Sequence, residues 1–362
     1  MLKTSPTVKT ASVEQLLNLW SQRFILNLSS LSSGNLSADS SLQEAASPEG
    51  KAFTAAKLKD NVLDVNCQMA WIQTKALYGY IPNVLDLNEA RLITQFAFRV
   101  YRKLLEIYQQ QSLENNLLTL AVEENVSVLG IGAVEELVSA LEPILMVFQE
   151  QHLVSKDWRA LGFMTTQLNF SNKLILKKLT PPEKVLLTPY LKFVEEQIAM
   201  PWHRVCAAAA KHELGSPMLT LVHQMLPVCE DIAQSVYRRL VELLPNHRSR
   251  RGGLSDPEVT YSCLRDLNMF QAYIWLCLLE QSMTPLETEL LPLCQMVVQG
   301  VEIPWEMTEK WCQVLGDEMI NCVNPQQQQD LLLPYIEGMQ QLFFKEGARL
   351  GFSKETVESI EV

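Results

Sequence analysis

The chain has 362 residues, enough for two domains of ordinary size, and 48% of them are hydrophobic, as in globular proteins. Its formal net charge of −11 argues against nucleic acid as a partner, because a protein that neutralises phosphates needs a basic face. The sequence also lacks an apolar run long enough to span a membrane, and its N-terminus lacks the apolar core of a secretory signal. We therefore expect a cytoplasmic protein without a direct membrane span.

The chain contains eight cysteines, and none of them belongs to a Cys-x-x-Cys pair. Scattered cysteines in apolar stretches are typical of reduced, buried thiols. A metal site could be sought at His203, Cys206, His212 and His223, but on a helix His212 would lie about half a turn round from His203, so no metal is expected. Motifs of hydrolases and of phosphate-binding loops are absent. We expect the protein to act by binding and not as an enzyme.

Residues 1–50 are predicted to form a Ser-rich, partly disordered extension that holds one short helix. Apolar residues recur at helical spacing between residues 13 and 28 and predict that helix. Residues 29–50 are rich in serine, and their few apolar groups cannot offset the entropy lost on ordering them. We therefore predict a linker there. The apolar positions of the short helix are Leu16, Leu17, Trp20, Phe24 and Leu28.

Residues 51–179 are predicted to form a helical domain of unknown family, because two apolar stripes occur there at helical spacing. The motif Gly130-Ile-Gly132 lies between them. It lacks the third glycine of a dinucleotide fingerprint and the Gly-Lys-Ser/Thr ending of a P-loop, so we predict a loop before a helix. The first stripe consists of Leu92, Phe96, Val100, Leu104 and Tyr108, and the second of Val134, Leu137, Leu141, Ile144 and Phe148.

Residues 180–350 are predicted to form a second helical domain, followed by a C-terminal tail of residues 351–362. The sequence Thr180-Pro-Pro-Glu183 places a Thr at the N-cap, a Pro at the first helical position and a Glu at the third. Related start signals occur at Thr284-Pro-Leu-Glu287 and at Asn324-Pro-Gln-Gln327. Repeated helix starts with little strand alternation predict an all-α fold with globin-like packing.

The helix that starts near Ser255 carries the most informative residues of the chain. Ser255 and Glu258 have the spacing of a capping box, in which the Ser hydroxyl accepts a hydrogen bond from a first-turn N–H and the Glu side chain reaches back to the backbone N–H of the Ser. The following residues form an apolar stripe that must be buried, and Cys263 lies inside it. The stripe consists of Val259, Cys263, Leu267, Phe270, Ile274 and Leu278.

The sequence Cys-x-Arg-Asp, formed by Cys263, Arg265 and Asp266, resembles the start of the chromophore-bearing helix of the phycobilisome proteins, the phycocyanin and allophycocyanin subunits. The resemblance extends over residues 183–345 and includes an arginine-bearing loop before the cysteine. It implies a globin-like domain, which agrees with the helix pattern, and a cyanobacterial light-harvesting context. It also implies pairing with a related subunit, as a dimer.

The resemblance further implies a cofactor, an open-chain tetrapyrrole or bilin, held through a thioether. Cys263 would be its attachment site, Arg265 would pair with a propionate, and Asp266 would accept hydrogen bonds from the inner ring nitrogens. Arg250 and Arg251 would approach the propionates from the loop. These roles suit the residue types, because a guanidinium matches a carboxylate fork and a carboxylate favours the protonated bilin.

A second interpretation of these residues stays open. The family's pattern has an Arg, a Tyr and a Gly further along the helix, where this chain has Ala272, Leu276 and Gln281. Cys263 could instead be a core thiol, and the Arg and Asp after it an ion pair that holds the fold.

Two functions follow from these observations. The first is a phycobilisome-related binding protein that either carries a bilin at Cys263 or acts as a chromophore-free relative in antenna assembly or regulation. Its partners would be other phycobilisome-type subunits or antenna proteins, through which it could sit at the thylakoid membrane. The alternative is a helical regulatory or sensor protein that keeps the globin-like fold without pigment. Bound pigment would favour the first, and colourless protein with specific partners the second.

Overall fold

The computed structural model describes residues 10–27, 36–78, 87–110, 128–130, 137, 140–141, 143–144, 159–324 and 326–351. They form two compact units, the first within Leu17–Ala199 and the second within Thr7–Leu16 and Met200–Val362. The described parts are almost entirely helical and contain only four short strands, so the predicted all-α fold class is confirmed. The domain limits predicted at residues 50, 179 and 350 stay predictions.

The first unit is built from helices and one small antiparallel ribbon. Helix α1 (Ala11–Ser21) runs into this unit from Leu17 and continues as a single 3-10 turn (Gln22–Phe24). Strand β1 (Ile25–Asn27) then pairs with β2 (Val128–Gly130). The helices that follow are α2 (Leu36–Ala46), α3 (Pro48–Lys57), α4 (Asp60–Tyr78), α5 (Leu87–Gln110), α6 (Arg159–Leu176) and α7 (Pro181–Ala199).

The N-terminal helix is present but ends at Ser21, before the predicted end at residue 28. Its Trp20, and Phe24 of the 3-10 turn, are part of the core of the first unit. The rings of Trp20 and Phe24 each lie against Phe193 of α7, with centroid distances of 5.3 and 5.4 Å. All three side chains are buried. Aromatic pairs at such distances add to the stabilisation from burial alone. Leu28, the last predicted position of the stripe, lies outside the described residues.

The linker prediction for residues 29–50 is wrong over residues 36–50, which are helical in α2 and at the start of α3. Ser47 caps α3, because its hydroxyl accepts a hydrogen bond from the Gly50 N–H at 3.0 Å. Helix α2 packs on α7, and Ala46 is buried. Packing of α2 against α7 therefore orders a stretch whose composition alone indicates a linker.

The two stripes predicted for residues 51–179 are only partly as expected. In α5, Leu92 is exposed and its neighbour Ile93 is buried, while the rest of the stripe lies in the core as predicted. Of the second stripe, Leu137 and Leu141 are buried, whereas Val134 and Phe148 lie outside the described residues. Gly130 ends strand β2, and Gly132 also lies outside the described residues.

The predicted start of α7 at Thr180 is confirmed. The Thr180 backbone N–H donates to Glu183 Oε2 at 2.8 Å, which is the glutamate half of a capping box. Lys57 Nζ donates to Glu183 Oε1 at 2.7 Å. Burial opposes ionisation of Glu183, but the bonds from Lys57 and Thr180 outweigh it, so the pKa of Glu183 is lowered. The local cap also links α7 to α3.

The second unit contains the remaining elements. A short hairpin pairs β3 (Arg248–Ser249) with β4 (Gly252–Gly253), and a π-helical turn covers Leu286–Leu290. Within the described ranges, no helix combines the length and the apolarity that crossing a bilayer requires. The helices are α8 (Trp202–Ala209), α9 (Pro217–Met225), α10 (Cys229–Leu243), α11 (Pro257–Glu280), α12 (Leu291–Gly300), α13 (Trp305–Asn321) and α14 (Gln326–Arg349).

Helix α11 is the central helix of the second unit and contacts α8, α9, α10 and α14. From Leu267 to Leu279 every residue is buried, so the predicted stripe is only one side of a helix that is covered on all sides. The predicted capping box is wrong: the N-cap is Asp256, without a side-chain bond to the helix. Its carboxylate instead accepts from the Gly253 N–H at 2.7 Å, which ties the helix start to the hairpin.

Candidate functional site

Cys263 lies in the second turn of α11 and is 9% exposed. The pKa of its thiol is raised to about 12, mainly by burial and also by the Asp266 carboxylate, while the charges of Arg265 and Arg251 oppose the rise. The structure thus brings four of the five predicted site residues together. Because the thiolate is the nucleophilic form of cysteine, this thiol is a poor nucleophile at neutral pH.

Arg265 and Asp266 form an ion pair with each other. Arg265 Nε and Nη2 both donate to Asp266 Oδ1, at 2.8 and 2.6 Å. Both side chains are partly buried, which strengthens the pair relative to one in water. The carboxylate that was predicted to face ring nitrogens therefore has one oxygen engaged by a guanidinium.

The two loop arginines lie in different surroundings. Arg251 Nη1 donates to Ser262 Oγ at 3.0 Å, beside Cys263. Arg250 Nη2 donates to Glu302 Oε1 at 2.5 Å, and its backbone N–H donates to Val301 O at 2.9 Å. Arg250 thus fastens the hairpin to the turn before α13. It is not among the charged groups that shift the pKa of Cys263.

Residues 209–342 match the family model described as phycobilisome protein. This stretch lies in the second unit and is similar to phycobilisome proteins, and we call it the phycobilisome-type domain. The predicted resemblance over residues 183–345 is confirmed for this range, and it indicates a light-harvesting-related role. Neither the curated proteins nor the solved structures gave a match to the chain.

Two of the three departures from the family's pattern lie in the core of the phycobilisome-type domain, and the third ends helix α11 at the surface. Ala272 and Leu276 are completely buried in α11. Gln281 ends the helix in the left-handed conformation, with φ of 52°, and its N–H donates to the carbonyls of Cys277 and Leu278. A left-handed residue other than glycine costs about 1 kcal/mol. The left-handed end of α11 therefore forms without a glycine. The positions of the family's Arg and Tyr are taken by the apolar side chains of Ala272 and Leu276.

The histidines of the phycobilisome-type domain have structural contacts. His212 Nε2 lies 2.8 Å from Leu279 O, and the Ser12 hydroxyl donates to His212 O at 2.9 Å. Burial lowers the pKa of His223, and a hydrogen bond with the Ser12 backbone opposes that shift. Among the described residues, no three His, Cys, Asp or Glu side chains come together to hold a metal ion. Sequence reasoning missed Ser12, because 200 residues separate it from His212.

Sequence reasoning also missed a partly buried charge cluster in the second unit. Arg204 of α8 donates through Nη1 to Glu289 Oε1 and through Nη2 to Glu280 Oε2 at 3.2 Å. The Tyr273 hydroxyl donates to the other oxygen of Glu289 at 3.5 Å. Burial raises the pKa of Glu289, and the charge of Arg204 opposes that rise. The cluster joins α8, α11 and the π-helical turn and is expected to hold the fold.

Proposed function

We propose that the protein is a chromophore-free phycobilisome-type protein that binds other antenna subunits in the assembly or regulation of the light-harvesting apparatus. The observation that supports this most is the setting of Cys263, a buried thiol with a pKa of about 12. The family match supports the antenna context, because phycobilisome proteins are structural proteins that assemble with one another.

The residues around Cys263 fit a bilin poorly. A bilin would need Asp266 for its ring nitrogens, yet Arg265 already donates two N–H groups to that carboxylate. Arg251 is bonded to Ser262 within the domain, and Ala272 and Leu276 supply no polar group. Binding would require these internal contacts to be exchanged for contacts with the ligand, at the cost of a partly buried ion pair. These residues fit better the interpretation of Cys263 as a thiol of the protein core.

The first unit lies outside the family match. In this proposal it helps to dock the phycobilisome-type domain to its partners. The protein would then be held at the cytoplasmic surface of the thylakoid membrane by those partners and would work without catalysis.

The absence of pigment is tested by co-expression with the enzymes of bilin synthesis. We expect the purified full-length protein to be colourless and to show no zinc-enhanced fluorescence after acid denaturation. The variants Cys263→Ala and Cys206→Ala should behave alike, because both thiols are buried with a pKa of about 12. A phycocyanin subunit expressed in the same way is the positive control. Pigment that survives denaturation and is lost only in Cys263→Ala would contradict the proposal.

A further inference from the structure

Helix α4 of the first unit exposes three large apolar side chains on one face. Val65 is 56% exposed, Met69 46% and Ile72 58%. They are spaced four and three residues apart, so they form one continuous stripe along the helix. Isolated exposed apolar residues are ordinary, but an apolar stripe on an outer helix face marks an interaction surface.

The opposite face of α4 already forms part of the core. Leu63, Cys67, Ala70 and Thr74 are buried, and the helix packs on α5 and α6. A surface helix of a globular protein normally needs only one apolar face. The stripe formed by Val65, Met69 and Ile72 is therefore a second apolar face, which the contacts within the first unit do not explain.

The charges beside the stripe indicate what covers it. Asp64 and Lys75 are both exposed and lie along the same edge of the stripe. Asp64 and Lys75 are the same number of sequence positions away from the midpoint between Met69 and Ala70. When two copies of α4 pair antiparallel about that midpoint, the same edges of the two helices meet. Asp64 of each copy then lies level with the partner's Lys75, which gives two opposite-charge pairs by symmetry.

We propose that α4 pairs antiparallel with α4 of a second copy of this chain and forms a homodimer centred between Met69 and Ala70. In that arrangement Val65 and Ile72 of one helix interdigitate with the partner's Ile72 and Val65. A parallel pairing would bring the edge with Asp64 and Lys75 against the opposite, uncharged edge of the partner helix, so both opposite-charge pairs would be lost. The contact is small, so the dimer is weak and forms in the micromolar range.

The test is sedimentation velocity of the full-length protein at concentrations up to about 200 µM, since small interfaces give micromolar affinities. We expect the wild-type protein to show a monomer–dimer equilibrium and Met69→Lys to remain monomeric. Asp64→Lys and Lys75→Asp should each weaken the dimer about tenfold, because each converts two attractive pairs into repulsive ones. The double variant should regain most of the wild-type affinity.

Controls separate dimerisation from folding. Leu214→Lys, at an exposed leucine of the second unit, should dimerise like the wild type. Circular dichroism checks that every variant keeps its helix content. A wild-type protein that stays monomeric throughout the range would overturn the proposal. So would a dimer that Met69→Lys leaves intact, or a double variant that is as weak as the single variants.

Discussion

Replacing Trp305 by alanine is expected to lower the free energy of unfolding of the second unit by about 4 kcal/mol. The indole is 1% exposed and stacks on Phe343 at a centroid distance of 5.9 Å. Its Nε1–H donates to Phe343 O at 3.0 Å. Alanine removes the ring contacts, leaves a cavity between α13 and α14, and removes the hydrogen bond from the indole to the Phe343 carbonyl. If α13 and α14 do not move together to fill this cavity, the protein loses the free energy of burying the ring and the dispersion contacts that the ring made.

The measurement is urea denaturation followed by far-ultraviolet circular dichroism. Trp305→Phe keeps an aromatic ring and should lose only about 1–2 kcal/mol, mainly from the missing donor. The matched control is Phe344→Ala, which removes an exposed ring next to Phe343 and should cost less than about 1 kcal/mol. A Trp305→Ala loss as small as that of Phe344→Ala would contradict the packing described for α13 and α14.

Replacing Arg204 by methionine is expected to lower the free energy of unfolding by about 3 kcal/mol near neutral pH. Methionine keeps most of the apolar stem but leaves the Glu289 carboxylate, which is largely buried, without its guanidinium. Removing one partner of a buried pair is destabilising because the remaining charge is desolvated and uncompensated. The double variant Arg204→Met with Glu289→Leu removes both charges and should recover most of the loss.

The pH dependence gives this prediction a second signature. Burial raises the pKa of Glu289 above its ordinary value of 4.5, and Arg204 opposes that rise, so its removal raises the pKa further. A carboxyl group with a raised pKa favours the folded state in its neutral form. The stability difference between wild type and Arg204→Met should therefore shrink as the pH falls toward 4.5. The proposed stabilising role of the cluster would be contradicted if this stability difference grew as the pH falls. It would also be contradicted if the double variant were no more stable than Arg204→Met.

Features that depend on neighbouring residues in the chain could be predicted from the sequence. The start of α7 at Thr180 is an example, because the cap bond joins residues three positions apart. The all-α class followed from apolar spacing in the same way. The capping box at Ser255 failed because Asp256 turns to the hairpin, a contact that sequence spacing does not reveal.

Features that depend on distant contacts could not be predicted. Arg204 and Glu289 are 85 residues apart, and no local pattern relates them. The Ser-rich stretch became helical because α2 packs on α7. At the candidate site, the motif located Cys263, but its burial and the pairing of Asp266 with Arg265 depend on how α11 is covered.

The most direct test of the proposed function is binding of the full-length protein to purified phycobilisome subunits. The sedimentation is recorded at the wavelength that the bilins absorb. Only the antenna subunits are then seen, since the added protein is expected to be colourless. We predict a saturable increase in their sedimentation coefficient. An unrelated protein with a similar net charge to this chain's −11 serves as the control. Sedimentation that stays unchanged at saturating concentrations would contradict the account and favour a regulatory role outside the antenna.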